Sequence, residues 1–169
     1  SSLAITLVQA IARGEKMDLI LQKATELGVV RILPVSSDRT EVKLDEDRAD
    51  KRILHWQRVL ESACEQCGRA QVPQVESPLT LERAARLLAE ESDSKLVLHP
   101  EGGKPLSQIS VGDAATIAIG PEGGFSDRDL AVLDQAGFQR ITLGPRVLRT
   151  ETAGLAAIAA LQTRFGDFG

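Results

Sequence analysis

Tyrosine is absent from this chain, and Trp56, Phe125, Phe138, Phe165 and Phe168 are its only aromatics. That leaves little from which to build a platform that stacks single-stranded bases. Histidine and cysteine are as scarce, with His55 and His99 far apart and only Cys64 and Cys67 as thiols. A structural zinc site needs further ligands at matching spacing, so no metal is expected. No apolar run reaches the ~18 residues of a membrane span, and no charged-then-apolar leader precedes Leu3, so the chain reads as cytoplasmic, with no membrane partner. Its start at Ser1-Ser2, without an initiator methionine, reads as a fragment or a processed form. Fingerprints of common nucleotide folds are missing: no G-x-G-x-x-G and no loop ending in G-K-[ST]. There is no G-x-S-x-G elbow or recognisable Ser-His-Asp set, which argues against nucleophilic hydrolysis. A net charge of −4 excludes nucleic-acid binding through a uniform positive field but leaves room for a local basic face.

What the 169 residues do contain suits one domain with a sizeable core. Leu3–Gln9, Val30–Val35, Lys95–His99, Ala114–Ile119 and Phe138–Leu143 read as strands. Helices are predicted between them. Glu15–Leu27 carries Met17, Ile20, Leu21, Ala24 and Leu27 on one stripe and closes on Gly28. Asp45–Gly68 carries Ile53, Trp56, Leu60, Ala63, Cys64 and Cys67 at helical spacing. Thr80 is a natural N-cap for Leu81–Glu91, and Ser126 with Asp129 makes a capping box opening Asp127–Ala136, which Gly137 ends. A turn is predicted over Gln108–Asp113, and a last helix over Thr150–Phe165. Strands separated by helices predict an α/β fold with a mostly parallel sheet and helices on both faces.

Two of these strands end in the same punctuation, Gly120-Pro121 and Gly144-Pro145. Glycine allows close backbone approach and proline fixes its own φ, so both make preset loops at strand ends, where α/β proteins bind ligands. The first loop, Gly120-Pro-Glu-Gly-Gly124, carries only Glu122 as a charge. A carboxylate there repels phosphate and suits a neutral or cationic ligand offering hydroxyls or an amine. The alternative is a tight turn whose glycines answer only to sterics. The last helix is nearly all small, through Ala153, Gly154, Ala156, Ala157, Ala159 and Ala160, with Leu155, Ile158 and Leu161 as its larger apolar contacts, so it can lie close to other backbone. Cys64-Glu-Gln-Cys67 closes a helix rather than opening one, so neither thiolate gains from the helix dipole. The pair reads as ordinary thiols on or beside the buried stripe.

Ile119-Gly-Pro-Glu-Gly-Gly-Phe-Ser126, Leu143-Gly-Pro-Arg-Val-Leu-Arg-Thr-Glu-Thr-Ala153 and, upstream, Ala63-Cys-Glu-Gln-Cys-Gly-Arg69 resemble the ribosomal RNA small subunit methyltransferase E family of the SPOUT superfamily. The resemblance runs through the whole chain in order. It implies methylation of N3 of one uridine in 16S rRNA, within the small ribosomal subunit, with S-adenosylmethionine as donor. It also implies a homodimer whose C-terminal segment forms a deep trefoil knot. Members of the family normally carry an N-terminal PUA-like RNA-binding domain that these 169 residues lack, so the chain is expected to be the catalytic domain alone.

By that resemblance the donor lies among Leu98, His99, Gly120, Pro121, Glu122, Gly123, Gly124, Leu143, Gly144, Pro145, Val147 and Leu148. Loop backbone groups can read an adenine edge, and Leu98, Ile119, Leu143, Val147 and Leu148 can supply apolar walls. Amides of Thr150–Thr152, Thr152 among them, are candidates to hold an anionic group. Deprotonated uridine N3 spreads charge onto its carbonyl oxygens, so a fixed cation favours the reaction, and Arg149 is the first candidate. Glu151 is the candidate proton acceptor, although a first-turn carboxylate also serves the helix dipole. For RNA, Arg39, Lys43, Arg48, Lys51, Arg52, Arg58 and Arg69 are candidates. Asp45, Glu46, Asp47 and Asp50 neutralise the helical ones, leaving Arg39 and Arg69 as the favoured pair. A competing reading is a non-catalytic RNA- or protein-binding module that retains the fold. The intact pair of loops favours the enzyme.

Overall fold

A computed structural model describes residues 1–42, 46–91 and 93–169, with 46–48 as backbone alone. The elements in order are β1 (Ala4–Ala10), α1 (Lys16–Glu26), β2 (Val29–Ser36), α2 (Glu46–Cys67), β3 (Gln74–Val75), β4 (Leu79–Thr80) and α3 (Leu81–Ala89). They continue with β5 (Ser94–Leu98), β6 (Lys104–Pro105), a 3-10 turn (Leu106–Gln108), β7 (Ala114–Ile119), α4 (Asp127–Gln135), β8 (Gln139–Thr142) and α5 (Thr150–Phe165). The strands form one sheet in the order β3-β2-β1-β7-β5-β8-β6, with β4 also on β2, and every pairing is parallel.

Successive strand residues point to opposite faces, and the two cores divide on that alternation. Leu7, Ile32, Leu96 and Ile117 pack with Met17, Ile20 and Leu21 of α1, Trp56 and Leu60 of α2, and Ala157, Ile158 and Leu161 of α5. Their neighbours Val8, Leu33, Val97 and Ala118 pack with Leu81, Ala84 and Leu88 of α3 and Leu130 and Leu133 of α4. Helices therefore cover both faces, as the strand-helix alternation predicts.

Local signals acted as expected at most helix ends. The Thr80 side chain accepts from the Arg83 N–H, and both halves of the Ser126/Asp129 capping box are formed. Gly28 and Gly137, just past α1 and α4, both sit at φ 87°. At Gly154 a Cβ would lie 3.2 Å from Ile119 Cγ1, so a small residue lets α5 lie on the end of β7.

The structure also corrects the sequence reading. β3, β4 and β6 span two residues each, too short for any periodicity to announce them. A 3-10 turn over Leu106–Gln108 stands just before the predicted turn. Cys67 is exposed and leaves the buried stripe, whereas Cys64 is buried, and that burial pushes its thiol up. The predicted start of α2 at Asp45 and the candidate Lys43 lie outside the described residues, as does the Arg48 side chain. Among the described residues no helix is long and apolar enough to cross a membrane, and no group of three or more His, Cys, Asp or Glu could hold a metal.

Candidate functional site

β1, β7, β5 and β8 lie side by side and parallel, so the loops leaving their carboxyl ends meet above one edge of the sheet. They enclose a cavity of about 540 Å³, within the size range of small-molecule sites. Both Gly-Pro loops line it. Gly120–Phe125 comes from β7, Leu98–Pro100 from β5, and most of Leu143–Glu151 from β8 and the start of α5.

The first loop has no room for side chains at its hinge. A Cβ on Gly120 would lie 3.0 Å from the Phe125 nitrogen and 3.2 Å from the Gly124 carbonyl carbon. Gly124 N–H donates to the Pro121 carbonyl at 2.8 Å, and Gly124 takes φ +70°, which favours glycine. In the second loop Gly144 takes φ +69°. The loops are joined through α5: the Thr150 hydroxyl donates to the Gly120 carbonyl at 2.6 Å. Thr150 is held in turn by the buried Gln9, whose amide nitrogen donates to it at 3.1 Å and to the Ala10 carbonyl at 2.9 Å.

Glu122 turns back across the mouth of β1. Its Oε1 accepts from the Arg13 N–H at 3.0 Å and lies 3.6 Å from Lys16 Nζ. Burial alone pushes the carboxyl up. The hydrogen bonds from the Arg13 and Glu122 backbone, with the charges of Lys16 and Arg13, outweigh it and hold the group below the ordinary carboxylate range. Lys16 Nζ also lies 3.6 Å from Glu151 Oε2, which is out of contact with solvent and has no hydrogen-bond partner among the described residues. Arg39 reaches over the first loop, its stem against Gly123 and its Nη1 donating to the Gly123 carbonyl at 2.9 Å.

Most of the residues singled out in the sequence come together here: Leu98, His99, Ile119, Gly120, Pro121, Glu122, Gly123, Gly124, Leu143, Gly144, Val147, Leu148, Arg149, Glu151 and Arg39 all line the cavity. Three do not. Pro145 and Thr152 are exposed and off its wall. Arg69 is at the far end of the sheet, where Nη1 donates to the carbonyls of Thr25 and Val29, each at 2.8 Å. It fastens the end of α1 to the start of β2. Thr150, a candidate through its amide, lines the cavity too, and Arg13, Lys16 and Arg146 do so without having been singled out. Arg13, in the turn after β1, and Lys16, the first residue of α1, follow a strand that carries no Gly-Pro mark, so only the adjacency of β1 and β7 could have found them.

A family model described as RNA methyltransferase domain matches residues 1–162. The chain belongs to this family. A ribosomal RNA small subunit methyltransferase E from Buchnera aphidicola subsp. Schizaphis graminum is 38% identical over 169 residues, covering 99% of this chain and 68% of that protein. The protein of the same name from Bacillus subtilis is 31% identical, covering 93% of this chain and 64% of its own length. A crystal structure of a ribosomal RNA small subunit methyltransferase E from Neisseria gonorrhoeae, bound to S-adenosylmethionine, is similar with a TM-score of 0.89 and 44% identity over 99% of this chain and 68% of that one. The chain thus spans about two thirds of the length of these relatives.

The cavity fits that donor on its own evidence. It has the volume, a wall of glycine-rich backbone from Gly120 to Gly124, and a buried carboxylate oxygen on Glu151 with no hydrogen bond among the described residues. The expected resemblance, α/β fold and S-adenosylmethionine cofactor are therefore borne out.

Proposed function

We propose that this chain transfers a methyl group from S-adenosylmethionine to N3 of a uridine in the 16S rRNA of the small ribosomal subunit, acting as a homodimer in the cytoplasm. The observation that carries the reading is the meeting of both Gly-Pro loops and the start of α5 around one cavity that also holds arginines and two carboxylates. The family match and a donor-bound neighbour support methyl transfer to RNA as the chemistry.

Bound in the cavity, the donor supplies an electrophilic methyl on a sulfonium. The chain has the remaining tasks: aligning the base, taking its proton and steadying the charge that results. Loop backbone from Gly120 to Gly124 and the apolar side chains of Leu98, Ile119, Leu143 and Leu148 hold the donor and exclude water. Glu151 accepts the N3 proton. Arg149, exposed at the lip, faces the carbonyl oxygens on which the negative charge spreads. Arg39 binds a phosphate of the RNA, and Arg146 and Arg13 extend that basic margin. Arg69, engaged at the opposite end of the sheet, takes no part.

The test is direct. Purified protein is incubated with isotope-labelled S-adenosylmethionine and with either small subunits or free 16S rRNA, and the modified nucleoside is identified by mass spectrometry. N3-methyluridine is expected. Label on ribose or on a base carbon would overturn the assignment of N3, and no incorporation into either RNA would favour the non-catalytic module.

A further inference from the structure

Glu122 and Glu151 are the only acids among the described residues that line the cavity, one in the first Gly-Pro loop and the other in the first turn of α5, just after the second. Both side chains are mostly buried, 19% and 16% exposed. One ammonium serves both, with Lys16 Nζ 3.6 Å from Glu122 Oε1 and 3.6 Å from Glu151 Oε2. These separations are ion-pair distances, longer than a hydrogen bond. Arg13 divides its charge, its guanidinium binding Glu41 at 2.8 Å and lying 3.9 Å from Glu122. The Arg39 guanidinium is held by the Gly123 carbonyl. The three carboxylates Glu122, Glu151 and Glu41 against the two cations Lys16 and Arg13 leave this part of the wall negative inside a rim that is otherwise basic.

A negative patch is the wrong surface for RNA phosphate, so its occupant must be the other ligand. S-adenosylmethionine carries a sulfonium, an ammonium and a carboxylate, a net charge of +1. When the methyl leaves, the carbon–sulfur bond breaks with its electron pair going to sulfur, a carbon–nitrogen bond forms at the base, and the base proton passes to Glu151. The thioether product keeps its ammonium and carboxylate and is neutral overall. The two molecules therefore differ chiefly by one positive charge and one methyl group.

We infer that Glu122 and Glu151, bridged by Lys16, read that charge, holding the sulfonium donor more tightly than the demethylated product and so favouring exchange of spent product for fresh donor. The inference rests on S-adenosylmethionine being the ligand of this cavity. Charges within a few ångströms in a half-buried site keep much of their Coulomb energy, enough to change a binding ratio about tenfold. Protonation of Glu151 during transfer works in the same direction, since the patch loses a negative charge in the step that removes the ligand's positive one.

Calorimetric titration of the whole chain with S-adenosylmethionine and with S-adenosylhomocysteine tests this without RNA or turnover. Wild type is expected to favour the donor. Glu151→Gln, which removes a charge from an oxygen that makes no hydrogen bond among the described residues, should lower the preference about tenfold by weakening the donor alone. Glu122→Gln should act in the same sense, and Lys16→Met in the opposite one, with Lys16→Arg close to wild type. Thermal melts of each variant confirm folding. Equal weakening of both ligands by Glu151→Gln, or an unchanged ratio, would overturn the inference. Wild type that binds neither ligand would remove the donor assignment beneath it, a distinct outcome.

Discussion

The Thr150 hydroxyl donates to the Gly120 carbonyl at 2.6 Å, tying the first residue of α5 to the glycine that opens the first loop. The direction of this bond is fixed from behind. Ala10 offers Gln9 only a carbonyl, so the amide nitrogen of Gln9 must face it, and the same nitrogen then donates to Thr150. Thr150 is left with its own proton to give to Gly120. The link sets the spacing between two loops that reach the cavity from strands separated by β5. Thr150→Val keeps the shape of the side chain and removes the donor. It should weaken S-adenosylmethionine binding about tenfold, as expected for one lost buried hydrogen bond, while Thr150→Ser stays near wild type in the same titration.

The glycines of the first loop are not equivalent. A methyl on Gly120 would meet backbone at 3.0 Å, and backbone cannot step aside without moving the loop. A methyl on Gly123 would meet only the Arg39 side chain, at 3.4 Å, and that chain can shift. Gly120→Ala should therefore abolish measurable donor binding in calorimetry, whereas Gly123→Ala should cost less than about threefold. The larger Gly123→Val should fall between them.

The elements that carried long signals were legible before any coordinates. Five strands, the capped starts of α3 and α4, and the glycine stops after α1 and α4 all follow from periodicity and turn chemistry acting within a few residues. The Gly-Pro loops were legible as a site because their glycines answer to local sterics. Lys16, Arg13 and Gln9 were not, because each acts across the sheet, on Glu122, Glu151 or Thr150, more than a hundred residues away. Arg69 misled for the converse reason. Its place at the end of α2, outside the acidic run, is shared by a phosphate ligand and by a side chain that binds carbonyls, and only the fold separates the two.

Arg149 precedes α5, lines the cavity and is exposed, and among the described residues no carboxylate pairs with it. A cation placed so can stabilise charge that develops on the base without having to hold the donor. Arg149→Ala should leave the donor Kd within about twofold and lower single-turnover methyl transfer about a hundredfold, the scale of losing one oxyanion donor. Equal losses in binding and in rate would assign Arg149 to donor binding.

Glu122 is held below its ordinary range despite burial that opposes this, by the Arg13 N–H, its own N–H and the charges of Lys16 and Arg13. A carboxyl depressed in the folded state adds stability that is complete above its unfolded value, about pH 4.3, and is lost as pH falls through the folded value. Urea unfolding of wild type between about pH 6 and pH 3 should therefore show a fall in stability on acidification that is shallower in Glu122→Gln. The two curves should converge at the acid end, where both side chains are neutral.

Arg39 and Arg69 make opposed predictions from one sequence-based expectation. Arg69 donates to the carbonyls of Thr25 and Val29, joining α1 to β2 at the end of the sheet remote from the cavity. Arg69→Ala should cost about 1–3 kcal/mol in urea unfolding, the range for hydrogen bonds from a charged donor, and leave RNA affinity unchanged. Arg39 lies at the lip of the cavity, and among the described residues its guanidinium makes one hydrogen bond, to the Gly123 carbonyl. Arg39→Ala should weaken RNA binding and reduce the dependence of log K on log salt by about one ion, with little change in unfolding. If Arg69→Ala instead lowers the salt slope and spares stability, the RNA path runs along the opposite end of the sheet, and the orientation of the base in the cavity would have to be reversed with it.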